Sequence, residues 1–229
     1  MKSAALTSFL ALALSAVAVA QETRNDREPR NDREYRNDYE QLSFSVRTTL
    51  PGGEAFQGVR WNDIISGGIG LGVEYSSLYQ ASSWIYGGWF VGLGIDSFGG
   101  RTLTDSLSGD EIRTDRLNMA DLEFGGRLRQ NFKGFHVDES VGVGGLFYMK
   151  QEFADRTQDL DKLELIKSSA TYMFDVGVRL GAPVGKDVEL SLGAFYRVNG
   201  APSHGKDVPG VTFKIQENFV FSLSLDIGF

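Results

Sequence analysis

Thr212-Phe213-Lys214-Ile215-Gln216-Glu217-Asn218-Phe219-Val220-Phe221-Ser222-Leu223-Ser224-Leu225-Asp226-Ile227-Gly228-Phe229 is the stretch on which the reading of this chain turns. Phe213, Ile215, Phe219, Phe221, Leu223, Leu225, Ile227 and Phe229 share one face at period two, and Lys214, Gln216, Asn218, Ser222, Ser224 and Asp226 share the other. One face is apolar and the other polar, over a strand longer than a soluble sheet usually needs.

Upstream, the same period recurs in seven segments separated by turn residues. They run Leu42 to Leu50, Gly67 to Leu78, Trp84 to Phe98, Arg116 to Gln130, Phe135 to Met149, Ser169 to Ala182 and Val188 to Val198. With the terminal strand they make eight. The links near Gln80-Ala81-Ser82, Asn131 to Gly134 and Pro183 to Asp187 are short, whereas 51–66, 99–115, 150–168 and 199–211 are long. Short and long ends alternate strictly, the asymmetry of a transmembrane barrel with periplasmic turns and extracellular loops. The expected fold is therefore all-β, an eight-stranded antiparallel up-and-down transmembrane β-barrel over residues 42–229. An even strand number leaves both termini in the periplasm.

The terminal strand, alternating and ending on Phe229, resembles the C-terminal strand of bacterial outer-membrane β-barrels. That resemblance implies that Phe221, Leu223, Leu225, Ile227 and Phe229 form the signal read by the barrel-assembly machinery. Taken whole, the eight segments resemble the OmpA/OmpX-like eight-stranded group and the opacity-type porin families. The likeness rests on architecture and the last strand, with no internal motif diagnostic of one family.

A sheet spans lipid only when it closes, because every backbone N–H and C=O needs a partner inside the protein. At eight strands the interior is filled by side chains. Alternation turns Glu74, Glu123, Arg127, Arg129, Asp175, Arg179, Glu189, Arg197 and Asp226 inward. Of these, Glu74, Arg127, Arg129, Arg179, Glu189 and Asp226 fall in the periplasmic half, where three cations meet three anions and are expected to form a plugging ion network. An ion or solute path lined by the same charges is the alternative. Tyr75, Tyr79, Trp84 and Phe229 are expected in a periplasmic aromatic girdle, and Phe147, Tyr196 and Phe213 in an outer one. Glu139 falls on the lipid side of its segment. Either that strand begins after it, leaving the carboxylate among headgroups, or a bulge shifts the register.

Met1 to Ala20 carries Lys2, an apolar run and the small-residue ending Ala18-Val19-Ala20, so it reads as a signal peptide cleaved before Gln21. Residues 21–41 hold the hexapeptide Arg24-Asn-Asp-Arg-Glu-Pro29 and two variants of it, a solvated periplasmic tail with almost nothing to bury. It reads as a spacer or as a binding arm for peptidoglycan or a periplasmic partner. Without Lys2, the 23 basic residues fall to 22 against 30 acidic, so nucleic acid is not an expected partner. There is no cysteine, hence no disulfide or thiolate metal site.

No cofactor, metal or catalytic set is expected. His136 reads as a headgroup or turn residue, and Ser203-His204 as a solvated loop pair, since triad members carry no fixed spacing. Asp155, Asp159, Asp161 and Glu164 match no calcium-loop order. The chain is thus expected to be non-enzymatic and surrounded by outer-membrane lipid and lipopolysaccharide. A structural or surface-interaction role with a plugged lumen and four extracellular loops is the first functional reading. A narrow porin-like channel for small solutes is the second.

Overall fold

The computed structural model describes residues 39–104, 111–155 and 162–229. The leader, the repeat tail up to Asp38, and Asp159 and Asp161 lie outside the described residues, as does the side chain of Asp155. The elements are β1 (Tyr39–Gly52), β2 (Glu54–Phe56), β3 (Val59–Arg60), α1 (Trp61–Ile64), β4 (Ile65–Gln80), β5 (Ile85–Gly100), β6 (Thr102–Thr104) and β7 (Glu111–Thr114). They continue as β8 (Leu117–Phe132), β9 (Phe135–Tyr148), β10 (Gln151–Asp155), β11 (Leu163–Ile166), β12 (Ser169–Pro183), β13 (Val188–Asn199) and β14 (Gln216–Gly228).

Eight long strands, β1, β4, β5, β8, β9, β12, β13 and β14, pair antiparallel in that order, and β14 returns to β1 to close a barrel. Ladders such as Phe44↔Leu225 and Val46↔Leu223 join the two ends of the chain, so no edge is left unpaired in the wall. Outward positions are large and apolar: Ile69, Leu93, Ile95, Leu122, Phe124, Tyr172, Leu192, Phe219 and Leu223 are all exposed. Inward positions carry the charges, with Arg47, Asp96, Asp121, Arg127, Arg129, Asp138, Asp175, Arg179, Arg197 and Asp226 all buried. Buried charges inside an exposed apolar skin fit a barrel whose outer solvent is hydrocarbon.

Several elements differ from the sequence expectation. β1 begins at Tyr39, so Tyr39, Glu40 and Gln41, assigned to the tail, belong to the wall, pairing with Leu78, Ser77 and Ser76. β14 begins at Gln216 rather than Thr212. Phe213 is therefore not a girdle residue: it is 5% exposed and stacks on Trp61 with ring centroids 5.7 Å apart. β9 runs without a bulge from Phe135, pairing Glu139 with Leu128 on one side and Val178 on the other. Glu139 thus stays on the outer wall inside the strand, contrary to both alternatives for its segment.

The short-turn end carries an aromatic ring that includes Tyr75, Trp89 and Phe229 (5.5 and 6.4 Å from Tyr75) and the Trp84, Phe132, Phe135 group. Gly134, at φ 91°, makes the two-residue turn between Phe132 and Phe135 in a conformation that side chains avoid. At the other end the long connections are themselves folded. β2 and β3 form a hairpin turning at Gln57 and Gly58, both with positive φ, and β6, β7, β10 and β11 form a four-stranded sheet.

Candidate functional site

Among the described residues the lumen is where this fold concentrates chemistry, and its contents change in layers from the short-turn end to the loops. Lowest is a cluster around Arg129, 2% exposed. Its Nε and Nη2 donate to the two oxygens of Asp138 at 2.7 and 2.9 Å, Nη1 to Glu189 at 3.2 Å, and Nη2 also to the Gln41 side-chain Oε1 at 3.0 Å. The Tyr39 ring covers the guanidinium at 4.7 Å. This fork-to-fork geometry is the strongest form of carboxylate recognition.

His136 also lies here. It is 3% exposed with Nδ1 3.7 Å from Glu189 and Nε2 3.8 Å from Asp138. The headgroup role expected for it is thereby corrected, because parity with Asp138 turns it inward. A Cβ at the facing Gly181 would collide with its ring, so only glycine leaves it room. Ser191 donates to Asp226 in the same layer.

The next layer centres on Glu74. Arg127 Nη2 reaches it at 2.6 Å and Arg179 at 3.3 and 3.4 Å, while Arg179 also stands 3.9 Å from Asp226. Phe90 and Phe195 lie against the two guanidiniums at 4.9 and 5.9 Å. Aromatic faces favour cations in that position.

Above it, Arg47 and Arg197 sit among four carboxylates. Arg47 binds Asp121 at 2.8 and 3.2 Å and Asp96 at 3.0 Å. Arg197 binds Asp175 at 3.1 Å, Glu123 at 3.3 Å and Asp121 at 3.4 Å. The nine residues singled out from the sequence all face the lumen, in two of these layers and the Arg129 cluster. Arg47, Asp96, Asp121 and Asp138 were absent from that set. The three-to-three balance is also corrected, since Asp138 makes four carboxylates against three guanidiniums in the lower half.

A neutral layer follows, in which Asn199 donates to Gln216 at 3.1 Å and the Tyr148 hydroxyl to the Gly200 carbonyl at 3.2 Å. Beyond it the lumen becomes apolar. Phe98, Leu117, Met119, Leu146, Tyr148 and Met173 point inward from the strand ends and meet Ala55, Trp61, Ile64, Leu165, Ile166 and Phe213 from the connections. The first connection reaches this core by a single helical turn. The Arg60 N–H donates to Asp63 at 2.9 Å, which starts α1 and drops Trp61 and Ile64 inside. The Trp61 indole N–H then donates to the Ile215 carbonyl at 3.1 Å.

On the cap's surface, Lys214 bonds Glu54 at 2.6 Å and, with the Gly58 N–H, holds that carboxyl below its ordinary range. Lys162 pairs with Asp115 at 2.6 Å. His204 is exposed, its Nδ1 3.1 Å from the Gly205 carbonyl oxygen. Among the described residues, no group of three or more acidic or histidine side chains is arranged to hold a metal ion.

A closed eight-stranded wall, apolar outside and ionic within, defines the small outer-membrane β-barrel as the class of this protein. No family model matches the chain, and no curated protein does. Among solved structures it is similar to Ail, the attachment invasion locus protein of Yersinia pestis, in complex with the heparin analogue sucrose octasulfate (14% identity, 84% of this chain and 99% of that one, TM-score 0.44). It is similar also to the outer membrane enzyme PagL (12%, 82% and 98%, TM-score 0.45) and to a major outer membrane protein of Thermus thermophilus (18%, 82% and 99%, TM-score 0.45). The likeness is one of overall architecture, and no side-chain role follows from it.

Proposed function

We propose that this protein is a surface-display barrel, a closed anchor in the outer membrane whose folded connections are its working part. In this reading the four long connections face outward, both termini lie in the periplasm, and lipopolysaccharide and lipid surround the wall. Phe221, Leu223, Leu225, Ile227 and Phe229 address the strand to the assembly machinery, and no catalysis is assigned. The observation that carries the proposal is the continuity of the filling. Ion pairs, an amide layer and an apolar core follow one another along the lumen, and the cavity among the ion pairs measures about 50 Å³. That is room for roughly three to five waters at ~10–15 Å³ each, not for a through-going solute.

Planar-bilayer recording on the refolded protein tests it. The expected result is an absence of unitary currents. Reproducible currents that disappear in Arg127→Gln and Arg179→Gln would replace this reading with the narrow solute channel.

A further inference from the structure

The lumen's charges do not cancel, and the excess is local. Around Arg127, Arg129 and Arg179 stand Glu74, Asp138, Glu189 and Asp226, with His136 beside them. Around Arg47 and Arg197 stand Asp96, Asp121, Glu123 and Asp175, and no other cation pairs with these four among the described residues. Two guanidiniums against four carboxylates leave that layer two positive charges short. Uncompensated charge in a confined interior is costly enough that something must neutralise it.

Geometry shows where. Glu123 on β8 and Asp175 on β12 converge over Gly142 of the intervening β9, and a Cβ there would strike Glu123 Oε1 and lie 2.9 Å from Asp175 Oδ1. Asp175 is 2% exposed and its Oδ1 accepts no hydrogen bond. Both carboxylates line the cavity of about 50 Å³, as do Ser43 and Ser222, whose buried hydroxyls also lack a partner. Of the lining atoms without a partner, Asp175 Oδ1 and the two hydroxyls are oxygens, the donor set of a hard cation, and the others are the Nε atoms of Arg47, Arg179 and Arg197. Because, among the described residues, no three acidic or histidine side chains are grouped to hold a metal, the set suits a singly charged ion better than a divalent one.

We propose that this cavity binds one monovalent alkali cation, held by Glu123 and Asp175 over Gly142 and facing the hydroxyls of Ser43 and Ser222. The ion is a fixed counter-charge that supplies one of the two positive charges the upper ion layer lacks, and it requires no conduction.

The test follows the thermal midpoint for loss of the compact, heat-modifiable form of the refolded full-length mature protein. It compares rubidium chloride with choline chloride at equal concentration, choline being too large to enter. A midpoint higher in rubidium, and an anomalous-scattering peak for rubidium above Gly142 in crystals, are expected. Asp175→Asn should abolish both. Gly142→Ala, which occupies the cradle while leaving every charge in place, should do the same. If either variant fails to fold, the wild-type salt comparison and scattering decide alone. Equal midpoints in the two salts with no peak in the cavity would overturn the proposal and assign the neutralising charge to protons.

Discussion

Arg129 offers the sharpest test of how the lumen is held. Replacing it with Met keeps most of the side-chain volume but strips both oxygens of Asp138, 1% exposed, of their donors at 2.7 and 2.9 Å. Within 4 Å of Asp138 the one ion-pairing group left among the described residues is His136 Nε2 at 3.8 Å, beyond hydrogen-bond distance. The contacts to Glu189 and Gln41 and the stacking on Tyr39 go as well. Breaking a buried pair by removing one partner costs about 3–5 kcal/mol, most of it from the stranded charge. If that is the mechanism, removing the stranded charge too should recover most of the loss, because apolar replacements of whole buried pairs are often neutral or better. Arg129→Met is therefore expected to lose about 3–5 kcal/mol, and Arg129→Met with Asp138→Leu to regain at least ~2 kcal/mol of it. Reversible urea unfolding in short-chain lipid vesicles measures both. A single-variant loss below ~1 kcal/mol, typical of a solvated ion pair, or a double variant as poor as the sum of its parts, would refute the picture of a water-poor ionic core.

Two further predictions separate cap from wall. Trp61→Ala removes a fully buried ring stacked on Phe213 and should cost the cap about 3–5 kcal/mol. In vesicles this should be seen as faster tryptic cleavage at the exposed Lys206 and Lys214 with unchanged heat-modifiable mobility; loss of that mobility would mean that cap and barrel unfold as one. Glu139→Leu places an apolar residue on the outer wall between Leu128 and Val178 and should raise stability by up to ~2 kcal/mol in the same urea assay. Destabilisation would mean that the carboxylate has a partner in the membrane.

Strict two-residue periodicity made the wall legible, because in a closed barrel the solvent outside every strand is lipid and the register cannot slip without exposing the charged set. The same parity also pointed Asp96, Asp121, Asp138 and His136 inward. The expected network lacks them: its six periplasmic-half charges already balance three to three, but electroneutrality does not hold strand by strand. The cap was not legible for a different reason. Phe213 and Ile215 keep the phase of Phe219 and Phe221, yet the chain leaves the wall before Gln216. Alternation cannot distinguish a strand facing lipid from an extended segment that turns its aromatic residue into a core. Trp61 carries no periodic signal, since a single helical turn is too short to have one.

The strand lengths explain why such a core exists. About 9–11 residues suffice to cross the apolar layer, whereas the barrel strands run 12 to 16 residues. The surplus at the long-loop end carries Phe98, Leu117, Met119, Leu146 and Tyr148 inward, above the ionic layers. These side chains give the connections an apolar floor that loops alone could not build, and Trp61, Ile166 and Phe213 pack on it. The cap is therefore registered to the wall. Substitutions at exposed loop positions such as Lys206 leave that floor untouched, whereas a polar residue at Leu146 or Met119 would leave an unpaired group between the amide layer and the apolar core. The outward surface is free to vary because the inward ends of the strands are not.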